Sequence, residues 1–298
     1  MLFHSTRGVD KDKTFADILM QGLASDGGLF MPDTWPQVEI EKIESMQSFQ
    51  EIAEYIVPFF TASSFSEQET HKVLKDAWHD FEIESLIEIK PFNNYSILEL
   101  FHGPTAAFKD FGLQLAAAFF NEILNQENKT ALVLGATSGD TGSAAIDSCK
   151  KYSRIKSFIM LPNGNMSQIQ RRQMTTVMSE NVRAIRVNGT FDDCQDLVKQ
   201  AFNVRDFLNN DQYLLAVNSI NWTRIVGQIC YYFYAYANLR DHKSISFSVP
   251  TGNFGNVFAC YSAYKMGLPL KSICVAVNEN DILHRSVSYT HLRAHETH

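Results

Sequence analysis

The sequence has no excess of positive charge and lacks a secretion signal. Lysine and arginine number 26 against 33 aspartate and glutamate residues, which gives a formal net charge of -7. A mildly acidic chain does not support binding to nucleic acid or to an anionic membrane, because both require a basic surface. The first residues, MLFHSTRGVDKDKTF, contain charges early and lack the apolar core of a signal peptide.

Cysteine is scarce, and long apolar runs are interrupted. The five cysteines never take C-x-x-C spacing, and they are Cys149, Cys194, Cys230, Cys260 and Cys274. This pattern indicates reduced core residues in a cytoplasmic protein and no zinc or other metal site. The longest uncharged run, residues 244–264, contains Pro250 and Gly252. Such residues are typical of a loop, so we expect no membrane span.

The first part of the chain has its own pattern. Its helical stretches are residues 10–23, 48–59 and 66–80. Asp10 and Ser66 are expected to cap two of these helices, and Glu69 follows Ser66 at capping-box spacing. Residues 1–92 are therefore predicted to form a mainly helical N-terminal subdomain.

From about residue 93, short apolar runs alternate with helix-like stretches. The predicted strands are residues 130–134, 157–161, 182–187, 213–217, 245–249 and 272–277. The predicted helices are residues 111–124, 142–151, 168–177, 192–207, 219–239 and 256–266. This alternation predicts an α/β fold with a mostly parallel sheet covered by helices on both faces. Ligands of such sheets bind at the carboxyl ends of the strands.

Two loops at predicted strand ends are rich in glycine and polar side chains. They are GATSGDTG at 135–142 and PTGNFGN at 250–256. Glycine lets the backbone approach a ligand, and the unpaired N–H groups of the following helix attract an anion. One such loop alone is more often a simple tight turn, but two in one sheet favour anion binding. Neither loop has the spacing of a nucleotide motif, so ATP and NAD are not expected ligands.

Lys109 lies in the segment LFHGPTAAFKDFG, residues 100–112, among aromatic and small residues. Burial near Phe108 and Phe111 would favour the neutral amine that Schiff-base chemistry with an aldehyde requires. Asp110 is expected to cap the helix that follows. Taken alone, the lysine could equally lie at a helix start with its charged end in water. Its combination with two anion-binding loops predicts pyridoxal phosphate as the cofactor and an amino acid as the substrate.

In these motifs the sequence resembles the threonine synthases with a long N-terminal extension. The matching segments are HGPTAAFKDF at 102–111, GATSGDTG at 135–142, GTFDDCQDLVK at 189–199, NSINWTRI at 218–225, PTGNFGN at 250–256 and NENDIL at 278–283. The resemblance runs from the first residues to about Arg285. It implies a fold-type II pyridoxal phosphate enzyme with doubly wound, mostly parallel sheets, like the β subunit of tryptophan synthase.

The resemblance also implies roles for individual residues. Lys109 would carry the cofactor covalently and act as the catalytic base. The cofactor phosphate would be bound by Gly252, Asn253, Phe254, Gly255 and Asn256. The substrate carboxylate would lie on Thr137, Ser138, Gly139 and Thr141. Asp140 would repel that carboxylate, so we expect it to turn away or to meet a donor.

The substrate phosphate needs a second set of donors. The candidates, chosen by donor type, are Thr105, Ser219, Asn221 and Arg224. For Arg224, an exposed arginine on a helix is the alternative interpretation. His102 could orient the lysine segment, contact the substrate or simply pack. The acidic residues 192 and 193 are better explained by a helix start than by a metal site, and the aromatic run 231–236 is predicted to be a core helix.

The implied reaction converts O-phospho-L-homoserine and water to L-threonine and phosphate, in threonine biosynthesis. The chain would then be a lyase acting on a small phosphorylated amino acid. The alternatives are a phospho-lyase acting on O-phosphohomoserine or O-phosphothreonine, and a catalytically inactive truncated relative.

The chain is expected to divide into an N-terminal subdomain at residues 1–92, an incomplete cofactor-binding domain at 93–285, and a tail at 286–298 that does not match the family. A monomer or a homodimer is expected.

Overall fold

The computed structural model describes residues 1–164, 166–216, 221–239, 245–279 and 281–288. The first 92 residues contain helices and short strands: β1 (Phe3–Ser5), α1 (Phe15–Gln21), β2 (Phe30–Pro32), α2 (Ile40–Ser45), α3 (Phe49–Thr61), α4 (Glu67–Ala77) and β3 (Glu88–Phe92). Strands β1 and β2 pair in antiparallel fashion. This part of the chain is thus mainly helical, with a small sheet that the sequence pattern does not predict.

Polar side chains fix where the N-terminal helices begin. Ser66 caps α4 in a capping box with Glu69, as predicted. The prediction for Asp10 is wrong, because α1 begins after Thr14, which caps it instead. The carboxylate of Asp10 accepts a hydrogen bond of 2.6 Å from the N–H of Ser25, and this bond lowers the pKa of Asp10. Asp10 therefore ties the start of the chain to the turn before β2.

The rest of the described chain alternates strands and helices. These elements are β4 (Tyr95–Glu99), α5 (Lys109–Gln126), β5 (Thr130–Ala136), α6 (Asp140–Lys150), β6 (Ile155–Pro162), α7 (Gln168–Thr175), β7 (Val182–Val187), α8 (Phe191–Val204), β8 (Gln212–Ala216), α9 (Trp222–Asn238), β9 (Ile245–Pro250), α10 (Gly255–Lys265), β10 (Leu270–Ala276) and α11 (Ile282–Ser288). All six predicted strands are present. Residue 217 of the fourth strand and residues 289–298 of the predicted tail lie outside the described residues.

Four strands form a parallel sheet in the order β7, β6, β5, β8, and β9 pairs with β10 in a second parallel sheet. The predicted mostly parallel arrangement is confirmed, but the expectation that both glycine-rich loops follow strands of one sheet is wrong, because β5 and β9 lie in separate sheets. Strands β3 and β4 form an antiparallel hairpin that the sequence pattern misses. Its two-residue turn is Asn93-Asn94, and Asn93 has a φ of 51°, a left-handed conformation that suits tight hairpins.

Helices α5 and α9 cross at two glycines in the centre of the molecule. A Cβ atom at Gly112 would lie 2.8 Å from the backbone oxygen of Arg224. A Cβ atom at Gly227 would lie 2.9 Å from the backbone oxygen of Phe111. Backbone atoms cannot rotate away as side chains can, so both positions require glycine. The crossing brings the first turns of the two helices together.

The aromatic run of α9 is buried, as predicted for a core helix. Tyr231 and Phe233 are inaccessible to solvent, and Tyr232 is 2% exposed. Across the described ranges, no helix combines the length and the apolar character needed to cross a membrane.

Candidate active site

The segment before Lys109, residues 103–108, is termed the lysine loop, and Asp110 holds its shape. The Asp110 carboxylate accepts hydrogen bonds from the Thr105 N–H at 2.9 Å and from the Thr105 hydroxyl at 2.7 Å. Gly103 packs directly against this carboxylate, since a Cβ atom there would lie 2.6 Å from Asp110 Oδ2. The prediction that Asp110 caps the helix is wrong, because α5 already begins at Lys109. Asp110 reaches back and closes the loop instead.

Burial has an electrostatic effect on Asp110. The side chain is inaccessible to solvent, and this desolvation raises its pKa to about 6. The two donors on Thr105 oppose the rise because they stabilise the carboxylate. The lysine loop is thus closed by a buried acid whose charge depends on the donors it meets.

Lys109 forms an ion pair with Asp140, the first residue of α6. The Lys109 side chain is 16% exposed, and its ammonium group lies 5.6 Å from the centre of the Phe108 ring. The expectation that Asp140 meets a donor is confirmed. The expected shielding of Lys109 near Phe108 is present, but the carboxylate that contacts its amine is not predicted by the sequence pattern.

The loop that follows β5, residues 137–139, is termed the β5 loop. The side chain of its first residue, Thr137, closes it. The Thr137 hydroxyl accepts hydrogen bonds from the N–H groups of Gly139 at 3.2 Å and Gly142 at 3.1 Å. Thr137 is buried, Ser138 is exposed and Thr141 is half-buried. The predicted contact of these residues with a substrate carboxylate stays a prediction.

Arg224, in the first turn of α9, is 3% exposed, so the alternative of an exposed helix arginine is wrong. Burial lowers the pKa of its guanidinium group to about 10, and the charge of Asp140 opposes this change. Asp140 therefore contacts the cationic side chain of Lys109 and is close enough to Arg224 for its charge to act on the guanidinium group. Cationic side chains of this kind suit an anionic ligand.

Asn221 caps α9, and both the oxygen and the nitrogen of its side-chain amide have hydrogen-bond partners. Its oxygen accepts a hydrogen bond of 3.1 Å from the Thr223 N–H, and its nitrogen donates one of 3.0 Å to the Leu19 carbonyl. These contacts favour a structural role for Asn221. Ser219, another candidate for the substrate phosphate, lies outside the described residues.

The loop that follows β9, residues 251–254, is termed the β9 loop, and it is open. Gly252, Asn253 and Phe254 are exposed, and a Cβ atom at Gly252 would meet no atom within 4 Å. Helix α10 begins at Gly255, without a side chain capping it. The N–H groups of its first turn have no carbonyl partner within the helix and carry partial positive charge.

Asn256 differs from the other residues predicted to bind the cofactor phosphate. Its side chain is buried and accepts hydrogen bonds from the hydroxyl groups of Tyr231 and Tyr232. The Tyr231 ring also packs against Phe111, with ring centres 5.6 Å apart. Helix α9 thereby connects the lysine-bearing helix to the first turn of α10.

Sequence reasoning misses Gln173, Glu99 and Glu88 around the lysine loop, whereas His102 is a residue that it singles out. Gln173 of α7 donates a hydrogen bond of 2.9 Å to the Thr105 carbonyl. His102 lies 3.1 Å from Glu99 of the hairpin and so connects the hairpin to the loop. Glu88 is near enough to these two residues to share a cation with them, and it pairs with Lys90. The contact of Gln173 with Thr105 joins residues 68 positions apart, which leaves no local sequence signal.

Two family models match the sequence. One describes pyridoxal-phosphate dependent enzymes and covers residues 84–298, and the other describes the threonine synthase N terminus and covers residues 2–78. The chain belongs to the threonine synthase family of pyridoxal-phosphate dependent enzymes. The predicted family, fold type and cofactor are confirmed.

Individual threonine synthases are similar along nearly the whole chain. The enzyme of Pseudomonas aeruginosa is 45% identical over 97% of this chain and 62% of its own length. That of Saccharomyces cerevisiae is 42% identical over 95% and 59%. The chain therefore spans about three fifths of the curated relatives it matches.

Solved threonine synthase structures have the same fold. The pyridoxal-phosphate-bound enzyme from Brucella melitensis has a TM-score of 0.89 and 42% identity, over 96% of this chain and 62% of that one. The Escherichia coli enzyme has a TM-score of 0.85 and 31% identity, over 98% and 68%.

The residues of this threonine synthase family member fit pyridoxal phosphate. The cofactor needs a primary amine for its aldehyde and an anion site for its phosphate. Lys109 supplies a shielded amine. The open space at Gly252 and the first turn of α10 suit a phosphate group. Both features lie on helices that pack against α9.

Proposed function

We propose that this chain carries the active site of a threonine synthase, which converts O-phospho-L-homoserine and water to L-threonine and phosphate. The observation that carries the proposal is the Lys109–Asp140 ion pair beside the buried Arg224. It combines a shielded amine with a buried guanidinium group, and an amino-acid substrate with a carboxylate and a phosphate suits such cationic groups. The similarity to threonine synthases supports the same reaction.

Lys109 and Asp140 would perform the proton transfers. Pyridoxal phosphate, when bound, supplies a ring that stabilises negative charge on substrate carbons. The Lys109 amine would take a proton from Cα, and then move protons at Cβ as phosphate leaves Cγ and water adds to Cβ. Asp140 would stabilise the ammonium form of Lys109 between these transfers, because it already contacts that group.

Charge and exposure support a division of binding roles. The cofactor phosphate would bind the backbone N–H groups of residues 252–256. The substrate carboxylate would bind residues 137–141, and the substrate phosphate would lie near Arg224. Thr105 and Asn221 already have protein partners, so we propose that they position loops instead of contacting the phosphate.

A phospho-lyase would use the same residues but release 2-oxobutanoate and ammonia. A catalytically inactive relative is the second alternative. We also infer a cytoplasmic protein acting on small molecules, as a monomer or homodimer. Its five free cysteines, four of them buried, support a reducing compartment.

Product analysis tests the proposal. The purified chain is incubated with pyridoxal phosphate and O-phospho-L-homoserine, and threonine, 2-oxobutanoate and phosphate are measured. We expect threonine and phosphate in equal amounts, and neither product with Lys109→Ala. Borohydride reduction followed by peptide mapping should locate the cofactor on Lys109. Formation of 2-oxobutanoate would indicate the phospho-lyase, and cofactor fixed to another lysine would contradict the site.

A further inference from the structure

A buried cluster of hydrogen bonds lies beneath the first turn of α10. The hydroxyl groups of Tyr231 and Tyr232 both donate to Oδ1 of Asn256, at 2.7 Å for Tyr232. The Tyr232 hydroxyl also lies 3.0 Å from the backbone oxygen of Asn256. None of the three residues is more than 8% exposed.

The core itself does not require these hydroxyl groups. Phe233, the next residue of the same helix, is fully buried without one. Burial raises the pKa of both tyrosines well above the usual value, so their hydroxyl groups stay protonated and act as donors. A buried hydroxyl group must find an acceptor, and both of these donate to the same asparagine, although Gln228 Oε1 also lies 3.4 Å from the Tyr231 hydroxyl.

Asn256 occupies a position where its orientation matters. It is the second residue of α10, and the N–H groups of residues 255–257 have no acceptor within the helix. Tyr232 holds Asn256 at both its side chain and its carbonyl group. The direction of these N–H groups therefore depends on the two tyrosines.

We propose that Tyr231 and Tyr232 are positioning residues for a phosphate group bound at the first turn of α10. They hold Asn256 in place, so that the N–H groups of residues 255–257 are directed towards the β9 loop. This inference rests on the proposed function, which places the cofactor phosphate at residues 252–256. Neither tyrosine contacts the phosphate itself.

A comparison of two ligands separates positioning from general stability. Affinities for pyridoxal phosphate and for pyridoxal, which lacks the phosphate, are measured for the wild-type chain, Tyr231→Phe and Tyr232→Phe. We expect each variant to lose about five- to tenfold in affinity for pyridoxal phosphate, with pyridoxal affinity unchanged. Tyr236→Phe is the matched control, because its hydroxyl group bonds Glu44 at 2.9 Å, away from α10.

An equal loss for both ligands, or no loss for either, would overturn the proposal. Hydrogen exchange of residues 258–262, whose N–H groups bond within the first turns of α10, gives an independent measurement in the ligand-free protein. We expect exchange about fivefold faster in Tyr231→Phe and Tyr232→Phe than in Tyr236→Phe. Equal exchange in all three variants would also overturn the proposal. If the wild-type chain fixes no cofactor on Lys109, the proposed function fails, and the exchange data still decide the role of the tyrosines.

Discussion

The β5 loop and the β9 loop both lead from a parallel strand into a helix, but their polar groups are used differently. In the β5 loop the Thr137 hydroxyl accepts hydrogen bonds from the backbone of Gly139 in the loop and of Gly142 in α6, and Asp140 pairs with Lys109. The lysine loop is closed in the same way by Asp110. The β9 loop is exposed, and side chains of a different helix hold the start of α10. Closed loops can fix charged side chains, whereas an open loop presents its backbone.

The largest difference in the free energy of unfolding should appear when alanine replaces Gly142, just after the β5 loop, or Gly252 in the β9 loop. A Cβ atom at Gly142 would lie 2.2 Å from Thr137 Cγ2 and 2.7 Å from Met174 Sδ, whereas one at Gly252 would meet nothing within 4 Å. We expect Gly142→Ala to lower the free energy of unfolding by about 2–3 kcal/mol. Gly252→Ala should change it by less than about 0.5 kcal/mol. Urea denaturation measures both, and equal losses would contradict the contrast between the loops.

The lysine loop should show a pH dependence that comes from Asp110. Burial raises the pKa of Asp110 to about 6 from an ordinary value of 3.8, so the folded state takes up the proton first. The contribution of Asp110 to the free energy of unfolding therefore grows as the pH falls through 6, and it reaches its full value below pH 3.8. Between pH 7 and about pH 4.5, the wild type should gain about 2 kcal/mol relative to Asp110→Asn.

Urea denaturation of both proteins across this pH range measures that difference. Two parallel stability curves would show that Asp110 titrates normally. Thr105→Val offers a second check, because loss of its hydroxyl donor should move the Asp110 transition to higher pH.

The smallest expected effect concerns the closure of the β5 loop. Thr137→Val keeps the shape of the side chain but removes the acceptor for the N–H groups of Gly139 and Gly142. We expect a loss of about 1–2 kcal/mol in the free energy of unfolding, and Thr137→Ser should restore most of it. Thermal unfolding measures the change. A serine variant as unstable as the valine variant would indicate that packing, not the hydroxyl group, closes the loop.

Strand positions could be predicted from the sequence because buried strands have a strong local pattern. The strand at Val182–Val187 was predicted with the bounds that the structure has. The hairpin of β3 and β4 was missed because its residues are largely exposed and lack an alternating apolar pattern. Its turn, Asn93-Asn94, was the available signal.

The site was predictable where function depends on a motif, and not where it depends on distant partners. Lys109 and the β9 loop stand out by composition alone. The contact of Asp140 with Lys109 joins residues 31 positions apart, and that of Tyr232 with Asn256 joins residues 24 apart. The burial of Arg224 depends on how closely α9 approaches α5. The spacing of residues in the sequence carries no information about contacts between distant residues or about the burial of Arg224.

The glycine crossing of α5 and α9 has a mechanical consequence. Where two helices meet through side chains, rotamer changes can absorb small shifts, but at Gly112 and Gly227 backbone meets backbone. A displacement of α9 would therefore shift α5 by a similar amount and move Lys109 with it. Because α9 also holds Asn256, it would keep Lys109 and the first turn of α10 at a constant separation.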